Sequence, residues 1–113
     1  MMGENIETNK LKFYSRMRWN SVVEDLREFA QNNEHVFFET EPTNRYGQTS
    51  VGMMYGNRWF NVMLGPDDLI SYSGFDMKTA IEELSFYRKI NDAKKIDWLP
   101  HIAKTWLLKG IQP

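Results

Sequence analysis

The side chains that could do chemistry in this chain are few: two histidines, fifteen acids, fourteen bases and no cysteine. His35 and Glu39 fall on one side of an extended segment and, if adjacent, would make an acid/base pair or two metal ligands. Four residues of strand hold them roughly 13 Å apart, which is too far for one site. Asp67 and Asp68 could begin a divalent-cation site, but hard cations need about six oxygen ligands and no calcium-loop spacing follows. Turn chemistry in Gly65-Pro66-Asp67-Asp68 accounts for them better. His101, behind Pro100 and off the apolar stripe of its helix, is expected to face solvent. The chain lacks thiolate nucleophiles, a Gly-rich phosphate loop and the Gly-x-Ser-x-Gly elbow. The expectation is a protein that is not an enzyme, with no catalytic residue, no metal site and no cofactor.

Residues suited to recognition are more abundant. Lys10, Lys12, Arg16 and Arg18 alternate with Leu11, Phe13, Met17 and Trp19, so an extended segment would carry a basic stripe on one face; helix is the alternative, since Leu11, Tyr14 and Arg18 also line up. Arg45, Tyr46, Tyr55, Arg58 and Trp59 mix cations with rings, the combination that holds nucleic acid by phosphate neutralisation and base stacking. The plain alternative for the stripe is a solvated edge strand, where lysines block aggregation. The strand expected over 58–64 sets Arg58, Phe60, Val62 and Leu64 against Trp59, Asn61 and Met63, and its neighbour over 49–55 adds Met54 to the second set. Large apolar groups therefore lie on both faces. If the helices cover only one, the other is an aromatic and methionine surface of the kind that binds proteins; the alternative is a helix folded over it.

The elements that must position these residues follow from pattern. Ser21-Val22-Val23-Glu24 reads as a capping box opening a helix over about 22–32, with Val22, Val23, Leu26, Phe29 and Ala30 inward. Strands follow over 35–40, closed by Pro42, then over 49–55 and 58–64, joined by a tight turn at Gly56-Asn57, and a short one over 69–72. Asp76 is expected to cap a second helix through Met77, Ala80, Ile81, Leu84 and Tyr87, and Asp97 a third, ended by Gly110. The class is α+β: an antiparallel three- to five-stranded meander with three helices packed mainly on one face. The order helix, three strands, helix resembles that of double-stranded-RNA-binding domains in topology alone. That family implies a basic cluster opening the last helix, and Asp76-Met77-Lys78-Thr79 stands there instead, so no membership is claimed.

Length and composition bound the rest. At 113 residues and 42% apolar, the chain fits a single domain over 9–113 behind a flexible tail over 1–8. No apolar run approaches the ~18 residues that span a bilayer, and Met1-Met2-Gly3-Glu4-Asn5 lacks the features of a signal peptide. With no cysteine, a cytoplasmic location is expected. Charge is blocked rather than mixed: residues 8–20 carry four bases and no acid, whereas 21–41 carry six acids against Arg27 alone. The favoured reading is a small regulatory, adaptor or inhibitory domain. It would bind a protein partner, or a second copy of itself, through Met54, Trp59 and Met63 with Arg45 and Tyr46 of the 42–48 loop. The alternative is a nucleic-acid-binding module using Lys10, Lys12, Arg16, Arg18, Arg45 and Arg58.

Overall fold

The computed structural model describes the backbone of residues 2–79 and 84–113, and the side chains of residues 8–78 and 85–113. The chain opens with one long helix, α1 (Met2–Gln31), then builds five strands: β1 (Phe37–Glu41), β2 (Thr49–Tyr55), β3 (Arg58–Leu64), β4 (Ile70–Asp76) and β5 (Leu84–Lys89). Two short helices, α2 (Ala93–Asp97) and α3 (Leu99–Lys104), and a π-helical turn over Thr105–Lys109 complete it. The strands pair antiparallel in the order β1-β2-β3-β4-β5, the α+β meander expected, with the helices gathered against one face.

Three α-helices are present, as expected, but their bounds differ, and the one expected to start at Asp76 is not among them. Residues 10–19 are helical, not extended, and α1 also takes in most of the segment expected as a tail. The stripe that fixes this helix is Leu11, Ser15, Trp19, Val22, Leu26 and Ala30, recurring at four, four, three, four and four residues. Ser15 hid it. A serine in the middle of the stripe broke the apolar run, yet it is fully buried, its hydroxyl without a hydrogen-bond partner among the described residues. The Ser21-x-x-Glu24 capping box consequently caps nothing. Both residues are exposed mid-helix, and Glu24 accepts a 3.4 Å contact from Arg27 Nε.

The second expected helix is also overturned. Phe86 and Tyr87 belong to β5, where antiparallel partners on β4 decide the conformation: Gly74 faces Phe86 and Ser73 faces Tyr87. Asp76 ends β4 and accepts a hydrogen bond from the Lys78 amide at 3.0 Å, turning the chain into the short 3₁₀ segment Met77–Thr79. The expected positions Ala80 and Ile81 lie outside the described residues. At the C-terminus it is Asp92, not Asp97, that caps: its carboxylate accepts from the Lys94 amide at 2.9 Å at the start of α2. Asp97 instead pairs with Arg18 of α1. Pro100 sits in the first turn of α3, and Gly110, at φ 73°, ends the helical run, both where pattern put them.

The core lies between the sheet and the helices. Val51, Met53, Phe60, Val62, Ile70, Tyr72 and Phe86 point from the strands toward Trp19, Val22, Leu26, Ile96, Leu99, Ala103, Trp106 and Leu107. Trp106 is its C-terminal keystone: its ring meets Phe86 edge-on with centroids 5.0 Å apart, and its indole N–H donates to the Trp59 carbonyl at 3.0 Å. Gly74 makes room, since a Cβ there would stand 2.5 Å from the Phe86 ring and 2.9 Å from Trp106 Nε1. The β2–β3 turn uses Gly56 at φ 58°, the left-handed value a two-residue hairpin needs; Asn57 does not share it.

Candidate interaction face

The face of the sheet turned away from the helices is set by strand alternation and register. Because paired residues on neighbouring strands share a face, Phe37, Met54, Trp59 and Phe75 form one continuous row across β1 to β4. A second row holds Glu39, Gly52, Asn61, Ser73 and Tyr87, and a third Glu41, Ser50, Met63, Ser71 and Lys89. None of the core helix residues reaches this side; Trp106 touches β3 and β4 from the opposite face.

The first row is large and apolar: Phe37 is 55% exposed, while Met54, Trp59 and Phe75 are half-buried; Tyr87 of the second row is 51% exposed and Met63 of the third is half-buried. The Trp59 ring lies across Gly52, where an added Cβ would sit 2.5 Å from Trp59 Cη2 and Cζ2. Glycine at this position lets the indole lie flat on the sheet and shields part of the central row. Beside it, the Asn61 Oδ1 is buried and has no hydrogen-bond partner among the described residues. A buried acceptor left unmatched costs on the order of 1–3 kcal/mol.

No family model, curated protein or solved structure matches this chain.

Of the residues expected to bind a partner, Met54, Trp59 and Met63 share one face of the sheet without forming one cluster, and Arg45 and Tyr46 lie in a loop at its end. Met54 and Trp59 stand in the first row and Met63 in the third, about 13 Å along the strands from Trp59. Arg45 and Tyr46 lie beyond the third row in the 42–48 loop, both exposed, the Arg45 guanidinium donating to the Tyr46 hydroxyl at 2.7 Å. That loop is built by Asn44, whose carboxamide oxygen accepts from the Tyr46 and Gln48 amides at 2.9 and 3.1 Å. Pattern missed Phe37, Phe75 and Tyr87; counting parity from Trp59 through the strand pairing would have found them.

The basic set expected to meet nucleic acid does not form a stripe. A strand would put Lys10, Lys12, Arg16 and Arg18 on one face, but at about 100° per residue a helix spreads them around α1. Arg18 pairs with Asp97, and Arg16 reaches Asp68 at 3.8 Å. Arg58 points to the core side, its guanidinium 5.6 Å from the Trp106 ring centroid and its Nε 4.0 Å from Asp76. It passes over Gly110, where a Cβ would collide with the guanidinium. Beside its bases α1 also exposes apolar residues: Phe13, Tyr14 and Met17 flank open grooves, one of about 410 Å³ lined by Lys12, Phe13, Arg16, Met17 and Asp68.

The residues considered for catalysis or metal binding stay apart. His35 lies in a turn at φ 70°, beside Glu34 at 3.7 Å, outside the strand that carries Glu39. Among the described residues no three His, Asp or Glu side chains gather to hold a metal ion. Asp67 is committed elsewhere. It accepts from Lys89 Nζ at 2.7 Å and from the Leu69 amide at 3.3 Å, and the Lys89 hydrogen bond holds its carboxyl below the usual aspartate value. The same bond raises the Lys89 ammonium above its usual value.

This pair has a pH signature. A lowered folded-state pKa means the Asp67 contribution is complete above the ordinary value of 3.8 and is lost as pH falls through the folded value below it. The Lys89 contribution is complete below 10.5 and is lost as pH rises through its folded value. Thermal unfolding of wild type and Asp67→Asn between pH 2 and 6 should converge at the acid end and separate toward pH 6. With both side chains near half exposed, the separation should be small and shrink further in salt. Curves that stay parallel throughout would remove the pair from any role in stability.

Proposed function

We propose that this chain is a small interaction protein, without catalytic work of its own, that binds a protein partner through the open face of its sheet. The observation that carries this reading is the row Phe37, Met54, Trp59 and Phe75, in register across four strands on the side opposite the helices. Large apolar side chains left in a contiguous line on a monomer's surface mark contact sites more often than accidents of folding. Their types also fit, since aromatic residues and methionine are enriched where partners meet. The 42–48 loop, with exposed Arg45 and Tyr46 at the Glu41 end of the sheet, would supply polar rim contacts. An adaptor or inhibitor needs no more than such a surface.

The test is capture from the native host's lysate by immobilised wild type and by a Phe37→Thr/Met54→Thr variant. Threonine keeps strand propensity while removing the apolar bulk, so the variant should fold with an unchanged circular dichroism spectrum. The expected result is a discrete protein, retained in 0.5 M salt, that the variant no longer holds. Equal capture by both would overturn the assignment of this face.

A further inference from the structure

We infer that a partner of the open sheet face is a second copy of this chain, related by a two-fold axis that runs along β3; this rests on the reading of that face just given. The face is self-complementary under that operation. With five strands in the order β1 to β5, β3 is central, and rotation about it lays β1 of one copy over β5 of the other. Each row then meets itself. Trp59 meets Trp59 and Met54 meets Phe75 in the apolar row, so ring lies on ring and methionine on ring. At the edges the acids of β1 meet the polar residues of β5: Glu41 faces Lys89, whose ammonium also holds Asp67 of its own chain, and Glu39 faces Tyr87. Both edge contacts occur twice, as an isologous interface requires.

One further observation agrees. The competing two-fold axis, lying across the strands, sets Glu39 on Glu39 and the apolar row on the charged third row, so like charge rejects it. The extent allows only a weak dimer. Strands of five to seven residues ~4.8 Å apart give a face of roughly 20 by 20 Å, and two such faces cover about 800 Å², at the small end where weak, transient contacts lie. The predicted association is therefore modest, with a dissociation constant in the micromolar range.

Sedimentation equilibrium of the full chain from about 1 to 200 µM tests this. The expected result is a monomer–dimer equilibrium for wild type, weakened at least tenfold by Glu41→Lys alone and by Lys89→Glu alone. The decisive arm mixes the two variants: in the mixed dimer both edge contacts become opposite in sign again, so association should return to near the wild-type strength. A wild type that stays monomeric at 200 µM, a dimer indifferent to both reversals, or a mixture no stronger than either variant would each overturn the inference. The broader reading fails separately, through capture that survives Phe37→Thr/Met54→Thr. Circular dichroism of each variant checks that the fold, including the Asp67 turn beside Lys89, is kept.

Discussion

Replacing Trp106 by alanine should cost about 3–5 kcal/mol and bring the protein close to unfolding at ambient temperature. The indole does three jobs at once. It fills the space between the C-terminal helices and the sheet at 3% exposure, meets Phe86 edge-on, and donates its N–H to the Trp59 carbonyl across 47 residues of sequence. Alanine removes the volume, the ring contact and the donor, and it uncovers the aliphatic part of Arg58, whose guanidinium lies over the same ring. At roughly 4 °C per kcal/mol for a domain of this size, the midpoint should fall by on the order of 15 °C. Trp106→Phe separates the terms. It keeps a ring and loses the hydrogen bond, so a cost of about 1–2 kcal/mol is expected. Denaturant unfolding of both variants checks this, and an alanine variant within 1 kcal/mol of wild type would mean the C-terminal turn is not part of the cooperative core.

The second large effect comes from one methyl group placed on opposite sides of the sheet. Gly74 and Gly52 each sit beneath an aromatic ring, and a Cβ at either would come 2.5 Å from ring carbons. Their surroundings differ. Above Gly74, Phe86 is 4% exposed and walled in by Tyr72, Phe60 and Trp106, so Gly74→Ala must displace packed core and should cost about 1–3 kcal/mol or more. Above Gly52, Trp59 is half-buried on the open face and can swing outward, and the strand gains the usual ~0.5–1 kcal/mol of alanine over glycine. Gly52→Ala should therefore lie within about 1 kcal/mol of wild type, with a red-shifted tryptophan emission. Equal costs at the two positions would show that the second face is closed. A neutral Gly52→Ala that also loses partner capture would tie the flat seating of Trp59 to recognition.

The proposed contact surface rests on that difference between the two sides of one sheet. Were a helix packed over Trp59, the aromatic row would be core, and the 42–48 loop and the exposed Phe13, Tyr14 and Met17 of α1 would be among the apolar and aromatic surface left. With all three helices on the Phe60 side, no helix among the described residues covers the row. Within the described residues no helix is long and apolar enough to cross a membrane, so the exposed rings are not those of a spanning segment.

Local sequence determined whatever depends on neighbours in the chain. The strands over 49–55 and 58–64 and the turn at Gly56 were legible because alternation and a glycine at a left-handed position are properties of a few consecutive residues. The end at Gly110 was legible for the same reason. Tertiary structure decided the rest. Residues 10–19 alternate like a strand yet are helical, because a stripe with a serine at its centre matches the helices and sheet it packs on. Residues 84–89 have helical spacing yet are a strand, because β4 offers an unpaired edge whose hydrogen bonds outweigh a weak helical preference. The functional face belongs to the same class: Trp59 and Met54 could be set on a shared side from alternation, but only the packing of α1, α2 and α3 on the other side left that side open. Burial is a property of the whole assembly, and no window of sequence contains it.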